Sequence, residues 1–145
     1  MRILVTGGRG FIGSKIVEML SEDHEITVVD NNDTYGLMPA HELEKLMQWR
    51  SSGWNKKNVL EIRGDVLDRL TCLKAFSHRP DMVIHLATYP RAKIVDNDPI
   101  NGVPKVINTT TNLLWHSVNF GVKKFVYIRC ELRKDPSLLK SYVEF

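Results

Sequence analysis

A chain of 145 residues fits one domain, and its 43% hydrophobic and 26% charged residues are ordinary globular usage, which excludes collagen-like, coiled-coil and largely disordered chains. No apolar run approaches the roughly 20 residues of a membrane span, and Met1 to Gly7 holds too short an apolar run for a secretory leader. The formal net charge of +3, from 20 basic and 17 acidic residues, is mild, so neither a nucleic-acid nor a membrane partner is expected.

Five short aliphatic or β-branched runs predict strands: Ile3 to Val5, Ile26 to Val29, Val59 to Ile62, Met82 to Ile84 and Phe125 to Ile128. Most are continuously apolar, the pattern of strands buried on both faces of a parallel sheet. Between the first two, Phe11 to Leu20 carries Ile12, Ile16, Val17 and Leu20 at helical spacing. Asp33 to Asn58 follows, with a helix expected over His41 to Arg50 on the face of Leu43, Leu46 and Met47, and loops on either side. Asp68 is placed to cap a short helix carrying Leu70, Leu73 and Phe76 that ends before Pro80. A long helix is expected around Val103 to Phe120, stopped by Gly121. Cys72 and Cys130 fit no metal spacing and read as reduced thiols in a cytoplasmic protein. The basic stretch from Lys123 and Lys124 to Arg129, Arg133 and Lys134 is interleaved with apolar residues and reads as a solvated strand end and tail. This alternation predicts an α/β fold: an open, doubly wound, mostly parallel sheet of five strands in the order 3-2-1-4-5, with helices on both faces.

The strongest local signal is Thr6-Gly7-Gly8-Arg9-Gly10-Phe11-Ile12-Gly13, directly after the first strand and opening the first helix. An early glycine allows a tight turn at positive φ. Gly10 lets the main chain approach a pyrophosphate with no Cβ in the way, and Gly13 lets the helix pack against the strand. The helix N-terminus then offers unpaired N–H groups and a positive dipole end to the anion. The second strand ends in Val28-Val29-Asp30, at about the 20-residue spacing of the carboxylate that hydrogen-bonds a ribose 2′-hydroxyl. A carboxylate there repels a 2′-phosphate, so NAD is favoured over NADP. Arg9 pulls the other way, because a loop arginine can meet that phosphate.

With these residues in view, the chain resembles the N-terminal part of the extended short-chain dehydrogenase/reductase family, the NAD-dependent epimerases and dehydratases of nucleotide sugars. The glycine run is similar to the family's cofactor fingerprint. Val29-Asp30-Asn31 resembles the strand end at the adenosine ribose, and Gly64-Asp65-Val66 the segment that meets adenine through its carboxylate and the next N–H. Val83 to Thr88 looks like the fourth strand and the backbone beside the other ribose. Thr110-Thr111-Asn112-Leu113-Leu114 and Val122 to Tyr127 resemble the following helix and fifth strand. The resemblance implies a Rossmann-like NAD(P)-binding domain over residues 1–130, followed by a tail over 131–145. It also implies cofactor contacts from Gly7, Gly8, Arg9, Gly10, Phe11, Ile12, Gly13, Asp30, Asn31, Asp65, Val66, Leu86, Ala87 and Thr88. Plainer roles stay open: His85 as a packed strand-end residue, Asp65 as a turn cap, Asn112 as a helix-packing residue.

The pattern also breaks. After the fifth strand, Arg129-Cys130-Glu131-Leu132 offers none of the family's serine or threonine, and no Tyr-x-x-x-Lys follows. Tyr127 has Glu131 at the lysine position, and Tyr142 stands three residues from the last residue given. Without a lysine to lower its pKa, a phenol is a poor base at neutral pH. Val106 stands where the family commonly has a cofactor-contacting asparagine, and Thr109 replaces a glycine. No catalytic residue is therefore assigned, and no metal is expected. Three functions compete: an NAD-binding protein with weak or no catalysis of its own, one half of a split epimerase/dehydratase, and a non-catalytic interaction protein on a Rossmann scaffold. The fifth strand, normally interior, becomes a candidate edge for self-association or for a complementing chain. Leu138, Leu139, Tyr142, Val143 and Phe145 are the residues that could fold over it.

Overall fold

Short β-branched runs separated by helices leave the chain few ways to bury its apolar surface, and it takes the doubly wound one. The computed structural model describes residues 1–33, 38–88 and 98–128. Strands β1 (Arg2–Thr6), β2 (Glu25–Asp30), β3 (Val59–Arg63), β4 (Met82–His85) and β5 (Lys124–Tyr127) form one sheet in the order β3-β2-β1-β4-β5. Every pairing is parallel, with Val5 beside Val28 on one side and Ile84 on the other. Helices α1 (Phe11–Leu20), α2 (Ala40–Arg50), α3 (Arg69–Ser77) and α4 (Pro99–Asn119) supply the crossovers. The expected topology and strand order hold.

Alternation along β1 sends Ile3 and Val5 to one face and Leu4 to the other. The first face gathers Val17 of α1, Ile26, Val28, Ile84 and Trp54, whose indole N–H donates to the Ser14 carbonyl at 2.9 Å. The second gathers Val29, Ile62, Val83, Cys72, Ala75 and Phe76 of α3, and Leu113 of α4. The central strands are therefore covered on both sides, as their sequence predicts. The outer β3 is not: Leu60 is exposed and only Ile62 of that strand is buried.

Three readings need correction. Asp68 does cap α3, accepting from the Leu70 and Thr71 N–H groups, but the buried face is Cys72, Ala75 and Phe76, while Leu70 and Leu73 lie outside. A nine-residue helix cannot turn both stripes inward, and Phe76 takes its place in the core. In α1, Val17 is buried and Ile16 and Leu20 pack against the same cluster as expected, but Ile12 is exposed, and the first turn brings Gly13 and Ser14 inward instead. Helix α4 begins at Pro99, before the expected start, because Asp98 accepts from the Asn101 N–H and proline's fixed φ suits the first helical turn. The helix runs on through Pro104, and Gly121 follows its cap at φ 69°. The stretch 131–145, with the apolar residues expected to cover β5, lies outside the described residues. Within those described, β5 is the last strand on its side of the sheet.

Two of the buried titratable groups are shifted by this packing. His85 has no exposed surface; its Nδ1 lies 2.8 Å from Thr6 Oγ1, its Nε2 lies 3.2 Å from Thr110 Oγ1, and its ring stacks on Tyr127. Burial pushes the imidazole from 6.5 down to about 4, so the folded protein holds it neutral where the unfolded chain would protonate it. Stability from this group is complete above about pH 6.5 and is lost as pH falls through about 4, a change of about 3 kcal/mol. Urea denaturation across that range is expected to show the decline, and a His85→Gln variant to flatten it. Burial, with the charges of Asp68 and Asp65, lifts the Cys72 thiol to about 12, and reactivity belongs to the thiolate. Iodoacetamide followed by peptide mapping should leave Cys72 unmodified in the native protein and label it in urea.

Candidate functional site

Parallel strands bring all their C-terminal ends to one side of the sheet, and a crevice opens there between the diverging halves. Here it is a cleft of about 240 Å³. Its walls include Gly7, Gly10, Asp30, Asn31, Asp65, Val66, Leu86, Ala87 and Thr88 from the sequence-predicted set. Val29, Asp33, Gly64, Leu67, Lys105 and Thr109 join them.

The floor is the turn from β1 to α1. Gly7 sits at φ 72°, where only glycine is at ease. Its N–H donates to the Val29 carbonyl at 2.8 Å, and a Cβ there would stand 2.8 Å from the Ala87 nitrogen. The turn thus lies hard against the ends of both β2 and β4. Gly13 is needed for a related reason that differs from the one expected. A Cβ on it would collide with the Gly7 carbonyl oxygen and Gly8 Cα, so this glycine lets the helix close on the turn rather than on the strand.

Helix α1 starts at this turn with no side chain capping it. Gly10 is the N-cap, the first turn holds no acidic residue, and the Ser14 N–H reaches the Gly10 carbonyl at 3.0 Å. The N–H groups preceding Ser14 in the first turn have no intrahelical partner by construction. They add to the positive end of the helix dipole. Gly10 itself lines the cleft, and the nearest atom to a Cβ there would be the Gly7 oxygen at 3.1 Å.

Asp30, half-buried at the end of β2, is held from both sides. Its Oδ2 accepts the Arg9 N–H at 2.9 Å and its Oδ1 the Asn32 N–H at 2.9 Å. Asn32 takes φ 56°, in the left-handed region. Each carboxylate oxygen has a second lone pair left. Across the cleft Asp65 does cap a turn, its Oδ1 accepting the Leu67 N–H at 2.8 Å, and its Oδ2 receives the Asn31 amide at 3.3 Å. Asn112 proves to be a packing residue with a specific partner. Its amide donates to the Val66 carbonyl at 2.6 Å, pinning α4 to that turn.

The remaining predicted residues sit around the cleft rather than on its walls. Gly8 is buried against Val28, and the exposed Phe11 and Ile12 begin α1. The Arg9 side chain runs to β3, its Nε 3.5 Å from Glu61 Oε2, while Arg50 Nη1 of α2 donates to the Arg9 carbonyl at 3.2 Å. Sequence reading missed Glu61, Arg50 and Thr6. No local motif flags Glu61 or Arg50, whereas Thr6 opens the recognisable glycine run. Its Oγ1 meets His85 and accepts the Ala87 N–H at 3.4 Å. Among the described residues no group of His, Cys, Asp and Glu is placed to hold a metal, and no helix is long and apolar enough to cross a membrane. A Tyr-x-x-x-Lys spacing does occur in the sequence, Tyr89 to Lys93, but it follows β4 rather than β5 and lies outside the described residues.

The profile of the NAD dependent epimerase/dehydratase family matches residues 3–132. A UDP-glucose 4-epimerase of Erwinia amylovora is 30% identical over 129 residues, which cover 88% of this chain and 36% of that protein. A probable dTDP-glucose 4,6-dehydratase of Sinorhizobium fredii is 37% identical over 115 residues, 77% of this chain and 29% of its own length. Among solved structures, the UDP-glucose 4-epimerase of Thermotoga maritima with UDP-glucose superposes at a TM-score of 0.69 and 32% identity, covering 88% of this chain and 37% of that one. The UDP-glucose 4-epimerase of Thermus thermophilus in complex with NAD gives 0.68 and 29% identity, over 94% and 43%. The chain thus spans about a third of the length of the curated relatives it matches. A family match over residues 3–132, with a solved relative superposing on 88% of the chain, makes this chain a member of the NAD-dependent epimerase/dehydratase family.

Proposed function

We propose that the 145 residues form the NAD-binding part of a nucleotide-sugar epimerase or dehydratase, and that they carry little or no turnover by themselves. The observation that carries this reading is the uncapped start of α1 facing the same crevice as the Asp30 carboxylate, across a turn that glycine leaves bare. An anion needs the first, a ribose the second, and a dinucleotide has both. The cleft residues fit the group. The free main-chain amides of Phe11, Ile12 and Gly13 would hold the pyrophosphate, with Gly7 and Gly8 shaping the turn and Gly10, whose own N–H is donated to the Gly7 carbonyl, leaving room for the approach. Asp30 and Asn31 would meet the adenosine ribose, Asp65 and Val66 the adenine. Leu86, Ala87 and Thr88 would flank the second ribose. When bound, the nicotinamide accepts and returns a hydride.

Removal of hydride from a sugar also needs a group to take the hydroxyl proton and a wall to orient the carbon. Nothing described at the end of β5 supplies either. The protein's own contribution is then binding and orientation of the cofactor. The outer edge of β5 supports a second reading, in which a further strand pairs along it, from a second copy or from a complementing chain that carries the acid/base pair.

Calorimetric titration of the 145-residue protein with NAD tests the assignment. An Asp30→Ala substitution removes a charged acceptor from the ribose and should weaken NAD at least about tenfold. It should leave inorganic pyrophosphate binding less affected. Unchanged NAD affinity in that variant, or no NAD binding by the parent, defeats the proposal.

A further inference from the structure

Arg9 is the one cation in the glycine turn, and it is not left free to meet an anion. Its Nε lies 3.5 Å from Glu61 Oε2, and its side chain is only 23% exposed. The contact is an ion pair without a hydrogen bond, for Arg9 Nε is buried and has no acceptor within bonding geometry. A buried guanidinium donor in that condition is unusual and would gain from a better-placed oxygen.

The placement of Glu61 gives this pair a consequence. Glu61 stands opposite Val28 in the β2–β3 register, two pairs before Asp30 opposite Arg63. Side chains two apart on a strand share a face, so Glu61, Val28, Asp30 and Arg63 belong to one face of the sheet, the face that α1 covers. Arg9 is tied to that patch twice, its backbone N–H to Asp30 and its guanidinium to Glu61. Arg50 anchors the Arg9 carbonyl from the other side. The Asp30 carboxylate on the cleft wall and the Arg9 side chain just outside it therefore meet on one face of the sheet, and they favour opposite cofactors.

We infer that Glu61 is a specificity-determining residue: by engaging the Arg9 guanidinium it withholds that cation from a ribose 2′-phosphate and so keeps the site selective for NAD. This rests on the dinucleotide reading given above. Arg9 is the arm that would grip a phosphate, and Glu61 acts through it. A 2′-phosphate entering the parent protein meets Asp30 with its opposing cation already neutralised. With Glu61 uncharged, the same arginine is released towards that phosphate.

The test is calorimetric titration of the full chain with NAD and NADP, for the parent, Glu61→Gln, Glu61→Ala, Arg9→Ala and the Glu61→Gln/Arg9→Ala pair, each checked for folding by circular dichroism. Both Glu61 variants should raise NADP affinity relative to NAD by about tenfold, the scale of one charge-assisted contact. The double variant should lose that gain, because the added affinity comes from Arg9 and not from mere removal of a negative charge. NAD binding with an unchanged NADP-to-NAD ratio in both Glu61 variants overturns the inference and leaves the cofactor assignment standing. So does a gain that survives removal of Arg9, or a parent that already prefers NADP. A parent that binds neither dinucleotide overturns both.

Discussion

The hydrogen bond from the Arg9 main chain to the Asp30 carboxylate, 2.9 Å long, is the constraint on which the site is built. It joins the turn after the first strand to the end of the second, and the Gly7 N–H to the Val29 carbonyl repeats the tie one step deeper. Together they place a helix start and a carboxylate at a fixed separation on the sheet's upper edge. A loop with side chains in place of Gly7 and Gly13 could not close to that distance, since the backbones of β4 and of the turn itself occupy the space. The glycines are thus demanded first by packing of protein on protein. Access for a ligand is what remains once the turn has closed.

The fold was legible because its signals are local and redundant. Continuous apolar runs identify β1, β2 and β4, the right-handed crossover rule leaves little freedom in their order, and Asp68 caps a helix by chemistry that a short window contains. What was misjudged depends on distance in space. Leu70 and Leu73 have the spacing of a buried stripe, but which stripe of α3 faces inward is set by Phe76 meeting His116 and Phe120 from α4. Residues 40 positions apart in sequence decide it. The breadth of burial on β3 was likewise invisible, because a strand's place at the edge of a sheet is a property of the whole topology.

The candidate site was legible to the same degree and for the same reason. Gly7, Gly10, Asp30, Asp65 and the Leu86–Thr88 segment announce themselves by motif or by position at a strand end, and the structure gathers them around one cleft. Glu61 and Arg50 do not. Each is an ordinary charged residue in an ordinary element, given meaning only by what stands across from it. Asn112 lies between the two cases. Its neighbours in sequence drew attention to it, while its actual partner, the Val66 carbonyl, is 46 residues away.

That last contact has a mechanical consequence. The Asn112 amide touches both the Val66 carbonyl and the Cys72 sulfur, and the Cys72 thiol donates to the same carbonyl at 3.3 Å. One oxygen is thereby clamped by two elements, so the longest helix cannot slide along the sheet without dragging the turn at 64–68 with it. The wall of the crevice that carries Asp65 and Val66 is thus tied to α4 as one stiff jaw.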